Sequence, residues 1–379
     1  MGMLFDSEQE MLAETARGFF AEHAPVAALR KLRDSQDPLG YQPEVWRQMV
    51  DLGWTAIVFP EAHGGLEFGY KGLGAVFEQA SRTLAATPLF GTVALGGSAL
   101  LLGGSDAQKE AWLPRIIGGE ALFTLAVDEK PRHDPKAIAL SAQASDGGYV
   151  LNGEKHYVVD GTIADQLVVV ARTSGQPGDA DGLTLFLVDA KAAGVERLRR
   201  TLVDSRNIAS IRFSNVAVPA SAVIGAVGQG GALLDSVLDR ARILLTAEML
   251  GSAAWMFETT VAYLKERVQF DVPIGSFQAL QHRAAQMYIA LEMSRSAVLA
   301  ALTAIDENSP QLPLLASLAK AKVSDTIELI SNEAVQMHGG IGMTDELDVG
   351  LHLKRARVSQ QFFGDASFHR DRYATLRGF

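Results

Sequence analysis

Apolar residues recur at helical spacing through roughly the first 117 positions. They give way to short branched and aromatic runs, then return to helical spacing for the remainder of the chain. Asp6 or Ser7 caps a predicted helix that ends near His23, with Met11, Leu12, Ala16, Phe19 and Phe20 on its apolar side. Pro43 to Leu52 predicts a second helix, closed by Gly53, and Phe59-Pro60-Glu61-Ala62-His63-Gly64-Gly65 cannot continue one. Helical patterns resume over Leu73–Leu84, through an uncharged stretch, and over Ala107–Ile117. From about Leu122 to Pro219 the signals are those of strands, rich in the side chains that fit a pleated surface. Tyr149-Val150-Leu151-Asn152-Gly153-Glu154-Lys155 predicts a hairpin turning at Asn-Gly, and Gly175 to Gly182 predicts a loop. Four long helical runs follow, roughly 231–268, 277–305, 311–338 and 345–362, separated by short breaks. The expected fold is α+β: an all-α domain over 1–119, a central antiparallel β-domain over 120–225 and a C-terminal four-helix bundle over 226–379.

Composition narrows the chemistry. Hydrophobic residues form 48% and charged residues 21% of 379 positions, enough to bury a large interior and too apolar for a disordered chain. Lys and Arg number 34 against 44 Asp and Glu, a net charge of -10, which argues against a nucleic-acid partner. No cysteine is present, so disulfides, thiolate metal sites, iron–sulfur clusters and a Cys nucleophile are excluded. Acidic residues follow the N-terminal methionines where a signal peptide needs basic ones. The uncharged stretch Thr83–Ser105 carries Pro88 and several glycines, which reads as a buried helix after a turn rather than a membrane span. A soluble, cytoplasmic protein is expected. No G-x-G-x-x-G follows a strand, and there is no P-loop, H-E-x-x-H or G-x-S-x-G, so nicotinamide, kinase, zincin and hydrolase readings lose their support. No metal site is expected.

Two segments carry positive information. Tyr263-x3-Arg267-x2-Phe270-x3-Ile274-Gly275-x-Phe277-Gln278-x2-Gln281-His282 places an Arg at a helix end and a Gln at the start of the next helix. A guanidinium fork there suits a diphosphate and Phe270 suits an adenine face; the plainer reading is a surface Arg and a helix cap. Gln336-Met337-His338-Gly339-Gly340-Ile341-Gly342-Met343 offers glycines that let backbone N–H groups approach a phosphate, or that merely end a helix.

Together with four further motifs in order, these segments resemble the acyl-CoA dehydrogenase family over nearly the whole chain. The other four are Phe59-Pro60-Glu61-x2-Gly64-Gly65, Gln108-x3-Trp112-Leu113-Pro114 leading to Gly118-Gly119-Glu120, Asn152-Gly153-x-Lys155, and Arg206-x4-Ile211-x-Phe213-x2-Val216-x-Val218-Pro219. The resemblance implies FAD held between subunits of a dimer of dimers, an acyl-CoA thioester substrate and an electron-acceptor flavoprotein. It assigns Arg267, Phe270, Gln278, Gln336, Gly339 and Gly340 to the adenosine–diphosphate end of a neighbour's FAD, and Tyr157 to the flavin ring. Arg242 matches an Arg beside the CoA part of the site, or is an exposed helix Arg paired with Asp239.

The chain also departs from the family. The usual base is a Glu before a Gly near the C-terminus, where this chain has Phe363 before Gly364; the alternative base position holds Ala241. Asp365 is the nearest carboxylate, a substitute base or simply a helix-end Asp. The family's Thr-Glu-Pro and Gly-Ala-Gly-Ser-Asp loop is reduced to Val127-Asp128-Glu129-Lys130-Pro131-Arg132-His133-Asp134, and its Trp-Ile-Thr to Tyr157-Val158-Val159. Such losses suggest a subunit without its own catalytic Glu, working with a Glu-bearing paralogue as in pimeloyl-CoA dehydrogenase. The alternatives are a flavin monooxygenase or oxidase on the same fold, and a non-catalytic structural subunit.

Overall fold

The computed structural model describes residues 5–179 and 181–379. Its helices are α1 (Ser7–His23), α2 (Val26–Asp34), α3 (Pro43–Asp51), α4 (Tyr70–Arg82), α5 (Ser98–Gly103), α6 (Asp106–Ile117), α7 (Gly230–Glu266), α8 (Gln278–Asp306), α9 (Leu312–His338), α10 (Val349–Gln361) and α11 (Ala366–Leu376). Its strands are β1 (Phe123–Ala126), β2 (Ser141–Ser145), β3 (Gly148–Val159), β4 (Gln166–Arg172), β5 (Leu183–Asp189), β6 (Val195–Arg200), β7 (Ile208–Pro219), β8 (Val223–Ile224), β9 (Val268–Gln269) and β10 (Val272–Pro273). By packing, the chain forms two compact units. One comprises residues up to 31, 70–85 and 242–379; the other comprises 32–69 and 86–241.

The first unit is helical. Asp6 accepts hydrogen bonds from the Glu8 and Gln9 amides while the Gln9 side chain returns one to Asp6, a capping box that fixes where α1 begins. Gly251 lets α7 lie directly against α4, since a Cβ there would stand 1.8 Å from the Glu78 carbonyl oxygen. Partly buried Arg295–Glu78 and Arg355–Glu248 ion pairs, at 2.8 and 2.7 Å, link helices within the unit. The four predicted bundle helices form, although α10 is only 13 residues long and starts at Val349. A further helix, α11, follows the turn at Phe362–Gly364, where the sequence reading placed none.

The second unit holds an eight-stranded sheet in the order β6-β7-β3-β2-β4-β5-β8, with β1 beside β4. Most pairs are antiparallel; β1–β4 is parallel over four residues. Every residue of β4 is buried, so it reads as a continuous apolar run rather than an alternation. Leu151, Leu167, Val169, Phe186, Ile211 and Phe213 form the centre of the core. The uncharged stretch becomes a wide helical turn over Phe90–Gly97, all of it buried, followed by α5.

Asn152-Gly153 is not a hairpin turn. The β2–β3 hairpin turns at Asp146-Gly147, and β3 runs straight through Asn152. Two opposed bulges take the place of the turn. Between Leu151↔Val216 and Gly153↔Phe213 the β7 strand spends one extra residue, and between Lys155↔Ile211 and Val158↔Ala209 the β3 strand spends one. Asn215 and Tyr157, at φ 53° and 54°, supply the left-handed backbone these bulges require, and the Asn152 side chain accepts the Asn215 amide at 2.8 Å.

Candidate active site and cofactor-binding surface

The two informative segments meet at one end of the helical unit. Tyr263, one turn from the end of α7, packs against His338 at the end of α9 with ring centroids 4.4 Å apart. Beyond α7, β9 and β10 form a two-stranded hairpin turning at Phe270 and Asp271, both with positive φ. That turn holds the Phe270 ring out at 86% exposure, 6.0 Å edge-on from Phe277. Arg267, Gln278, Gln336, Gly339 and Gly340 are all exposed as well. Gly339 adopts φ +63°, and a Cβ built on it or on Gly340 would meet nothing within 4 Å. Gly339 is therefore required by conformation, and both glycines leave the backbone open to a ligand. Donors, an aromatic face and accessible amides at one surface fit the adenosine–diphosphate half of FAD.

The base positions are a different environment. Ala241 is completely buried, and Phe363 is buried at φ +57°. The turn carrying Phe363 is held by side chains the sequence reading passed over. Lys320, fully buried in the middle of α9, donates to the carbonyls of Ser359, Gln360 and Gly364, each at 3.0 Å. The first two belong to the last turn of α10, whose carbonyls have no partner along the helix, so an ammonium there satisfies them and complements the helix dipole. Burial pushes the Lys320 pKa down to about 7, with Arg242 adding to the fall and Asp365 opposing it.

Arg242 is fully buried, which rules out its reading as an exposed surface Arg. Its Nε donates to the Phe363 carbonyl at 3.0 Å, and its guanidinium lies 5.5 Å from the Phe368 ring centroid. The same carbonyl lies 3.0 Å from His369 Nε2. Burial, then Arg242 and Lys320, hold the His369 imidazole well below its ordinary pKa. It is neutral, and its bond to a carbonyl puts the proton on Nε2. Asp365 is the N-cap of α11: its side chain accepts the Phe368 amide at 2.7 Å. The helix-end reading of Asp365 is thus the one the geometry displays, and its carboxylate is engaged by main chain.

In the sheet unit, Glu129 and Lys155 form a buried pair at 2.7 Å. Glu129 also accepts the Ala139 and Leu140 amides, and Lys155 donates to the Val127 carbonyl. The pair therefore ties both ends of the loop 127–140 to β3. Burial brings the Lys155 pKa down to about 8 despite Glu129. Asp128, in the same loop, meets His133 Nδ1 at 2.8 Å. Tyr157 stands at its bulge, half-buried; Val159 offers a carbonyl, taken by the Thr124 hydroxyl at 2.6 Å. Among the described residues no cluster of His, Asp and Glu could hold a metal ion.

Comparison with known proteins decides the lineage. The N-terminal, middle and C-terminal domains of acyl-CoA dehydrogenase match residues 6–120, 127–216 and 228–375. The chain belongs to the acyl-CoA dehydrogenase family. It is 32% identical to acyl-CoA dehydrogenase IpdE2 of Mycolicibacterium smegmatis, over 94% of each chain. Cyclohex-1-ene-1-carbonyl-CoA dehydrogenase of Geobacter metallireducens is 31% identical over 85% of this chain and 86% of its own. The structure of butyryl-CoA dehydrogenase from Megasphaera elsdenii superposes with a TM-score of 0.90 at 25% identity, covering 100% of both chains. Members of the family are FAD flavoproteins and oxidoreductases acting on CH–CH bonds, and the architecture of helical, β and helical domains is theirs.

Proposed function

We propose that this acyl-CoA dehydrogenase-family chain serves α,β-dehydrogenation of an acyl-CoA thioester as a subunit lacking its own usual base, lending its nucleotide-clasping end to a sister chain. One contrast carries the reading: Arg267, Phe270, Gln278, Gln336, Gly339 and Gly340 are all exposed, whereas the base positions hold buried, apolar Phe363 and Ala241. When bound, FAD accepts the hydride from the substrate's β-carbon. The α-proton needs a carboxylate, which neither Phe363 nor Ala241 provides, and the Asp365 carboxylate caps a helix. A Glu-bearing paralogue supplies the missing group in a mixed dimer of dimers. Exposed Tyr288, Ile289 and Met293 on α8 and Met343 beyond α9 favour such an assembly over a monomer.

The chain also superposes, with a TM-score of 0.92 at 26% identity, on a chain from the structure of the electron transferring flavoprotein of Acidaminococcus fermentans. That likeness favours an electron-transferring flavoprotein as the acceptor. The test is purification of the chain alone and co-expressed with a Glu-bearing paralogue. Flavin content and turnover should reach full values only in the mixed complex. Stoichiometric FAD and full turnover by the chain alone would refute the proposal.

A further inference from the structure

One cavity lies apart from the residues of the candidate active site and cofactor surface. It has a volume of about 430 Å³, within the range of small-molecule sites. The C-terminal turn of α2 contributes Arg33, and the end of β6 with the turn into β7 contributes Arg199, Arg200, Thr201, Ser205 and Arg206. Four guanidinium groups and two hydroxyls thus face one space in a chain whose net charge is -10, and among the described residues no carboxylate lines it. Three of the arginines are anchored by their surroundings. Arg199 donates to the Asp37 carbonyl at 2.5 Å, Arg200 Nε to the Ser210 hydroxyl at 2.9 Å, and Arg33 pairs with the exposed Asp34 at 2.7 Å. Forks fixed in this way lose little side-chain freedom when an anion arrives. The two corners of the cavity, Gln36 and Ser205, have φ of 51° and 61°, left-handed backbone at residues that are not glycine.

We infer that this cavity is a binding site for a phosphorylated small molecule bearing at least two phosphate groups. Phosphate oxygens accept bidentate guanidinium bonds, and two phosphate groups offer enough of them to engage the Arg199, Arg200 and Arg206 forks, with Arg33 already shared with Asp34. Arg206, which belongs to a β-domain motif of the sequence, becomes one wall of the site.

The experiment is calorimetric titration of the flavin-loaded protein, in complex with any co-purifying partner, at 0.15 M NaCl. The probes are pyrophosphate, ADP and coenzyme A, with sulfate and a poly-glutamate peptide as controls. Pyrophosphate should bind saturably at submillimolar concentration. Thr201→Glu, at an exposed position where folding is undisturbed, should weaken it at least tenfold, as should Arg200→Gln combined with Arg206→Gln. If ADP binds as pyrophosphate does and Thr201→Glu weakens both, the source is a free nucleotide. If coenzyme A alone binds more tightly than pyrophosphate, and Thr201→Glu weakens it, the source is the coenzyme. No saturable pyrophosphate binding, or binding that Thr201→Glu leaves unchanged, would overturn the assignment. Equal binding of sulfate, showing an adventitious ion only, or binding of the acidic peptide in place of pyrophosphate would do the same.

Discussion

Replacing Lys320 by Met removes three hydrogen bonds without changing the length of the side chain much. The ammonium spans Ser359, Gln360 and Gly364 at 3.0 Å each. Charge-assisted bonds of this kind contribute roughly 1.5–3 kcal/mol apiece. Against that gross term stands the cost of keeping the ammonium away from water, on the order of 5 kcal/mol for a fall from the ordinary value of 10.5 to about 7. Methionine relieves that cost but leaves carbonyls of a buried helix end without donors. A net loss of about 3 kcal/mol is expected at pH 7, in the range found when one partner of a buried charged interaction is deleted. The pH dependence gives a second reading. Between about pH 7 and 10.5 the unfolded chain keeps a proton on Lys320 that the folded chain releases, so unfolding takes up a proton. The penalty from Lys320 is complete below pH 7 and fades as pH rises. The native protein should therefore gain on Lys320→Met by about 1 kcal/mol per pH unit above pH 7. Urea unfolding followed by tryptophan fluorescence at pH 7, 8 and 9 measures both quantities. A variant within about 0.5 kcal/mol of the native protein at pH 7 would refute the role of the ammonium, and a difference that stays flat with pH would refute the depressed pKa.

Other outcomes follow from the same geometry. Asp365→Ala should lower stability by about 1 kcal/mol through loss of the α11 cap and leave turnover of the complex unchanged; a hundredfold fall in kcat with unaltered thermal stability would instead make Asp365 the base. Lys155→Met strands the Glu129 carboxylate in a buried place and should cost about 3–5 kcal/mol, whereas the double change Lys155→Met with Glu129→Gln should recover part of it, as thermal melting will report. Arg267→Ala touches an exposed side chain, so the melting temperature of the flavin-free protein should hold while FAD affinity of the assembled complex drops at least tenfold by equilibrium dialysis.

The helices and strands were largely readable because burial imposes its period on sequence. α1 begins at Ser7 behind its Asp6 cap, as the sequence implies, and the apolar run at 167–170 lies within the fully buried β4. Asn152-Gly153 misled because that dipeptide ordinarily marks a tight hairpin; here an opposing bulge on β7 uses the same local freedom without reversing the chain. α11 is short, and its apolar spacing is interrupted by His369, Arg370 and Arg372, so periodicity gave no sign of it. The exposed residues proposed to clasp a nucleotide are singled out by motif order alone. The support beneath Phe363 was not, because Lys320, Arg242 and His369 act through main-chain carbonyls, which leave no mark in residue identity. One clue was available: Lys320 lies on the same helical side as the buried Ala316, Val323 and Ser324, where a cation demands acceptors.

The opposed bulges in β3 and β7 make the stretch from Gly153 to Lys155 a self-contained insert. Pairing partners sum to 367 on either side of it, as for Leu151 with Val216 and Val158 with Ala209, and to 366 within it. Deleting Tyr157 alone would force the ladder beyond to slide by one residue and turn inward-facing side chains out. Deleting Tyr157 and Asn215 together removes both irregularities and restores continuous pairing, so the two positions constrain one another as a single unit of descent: a lineage that loses either extra residue can keep this sheet only by losing the other.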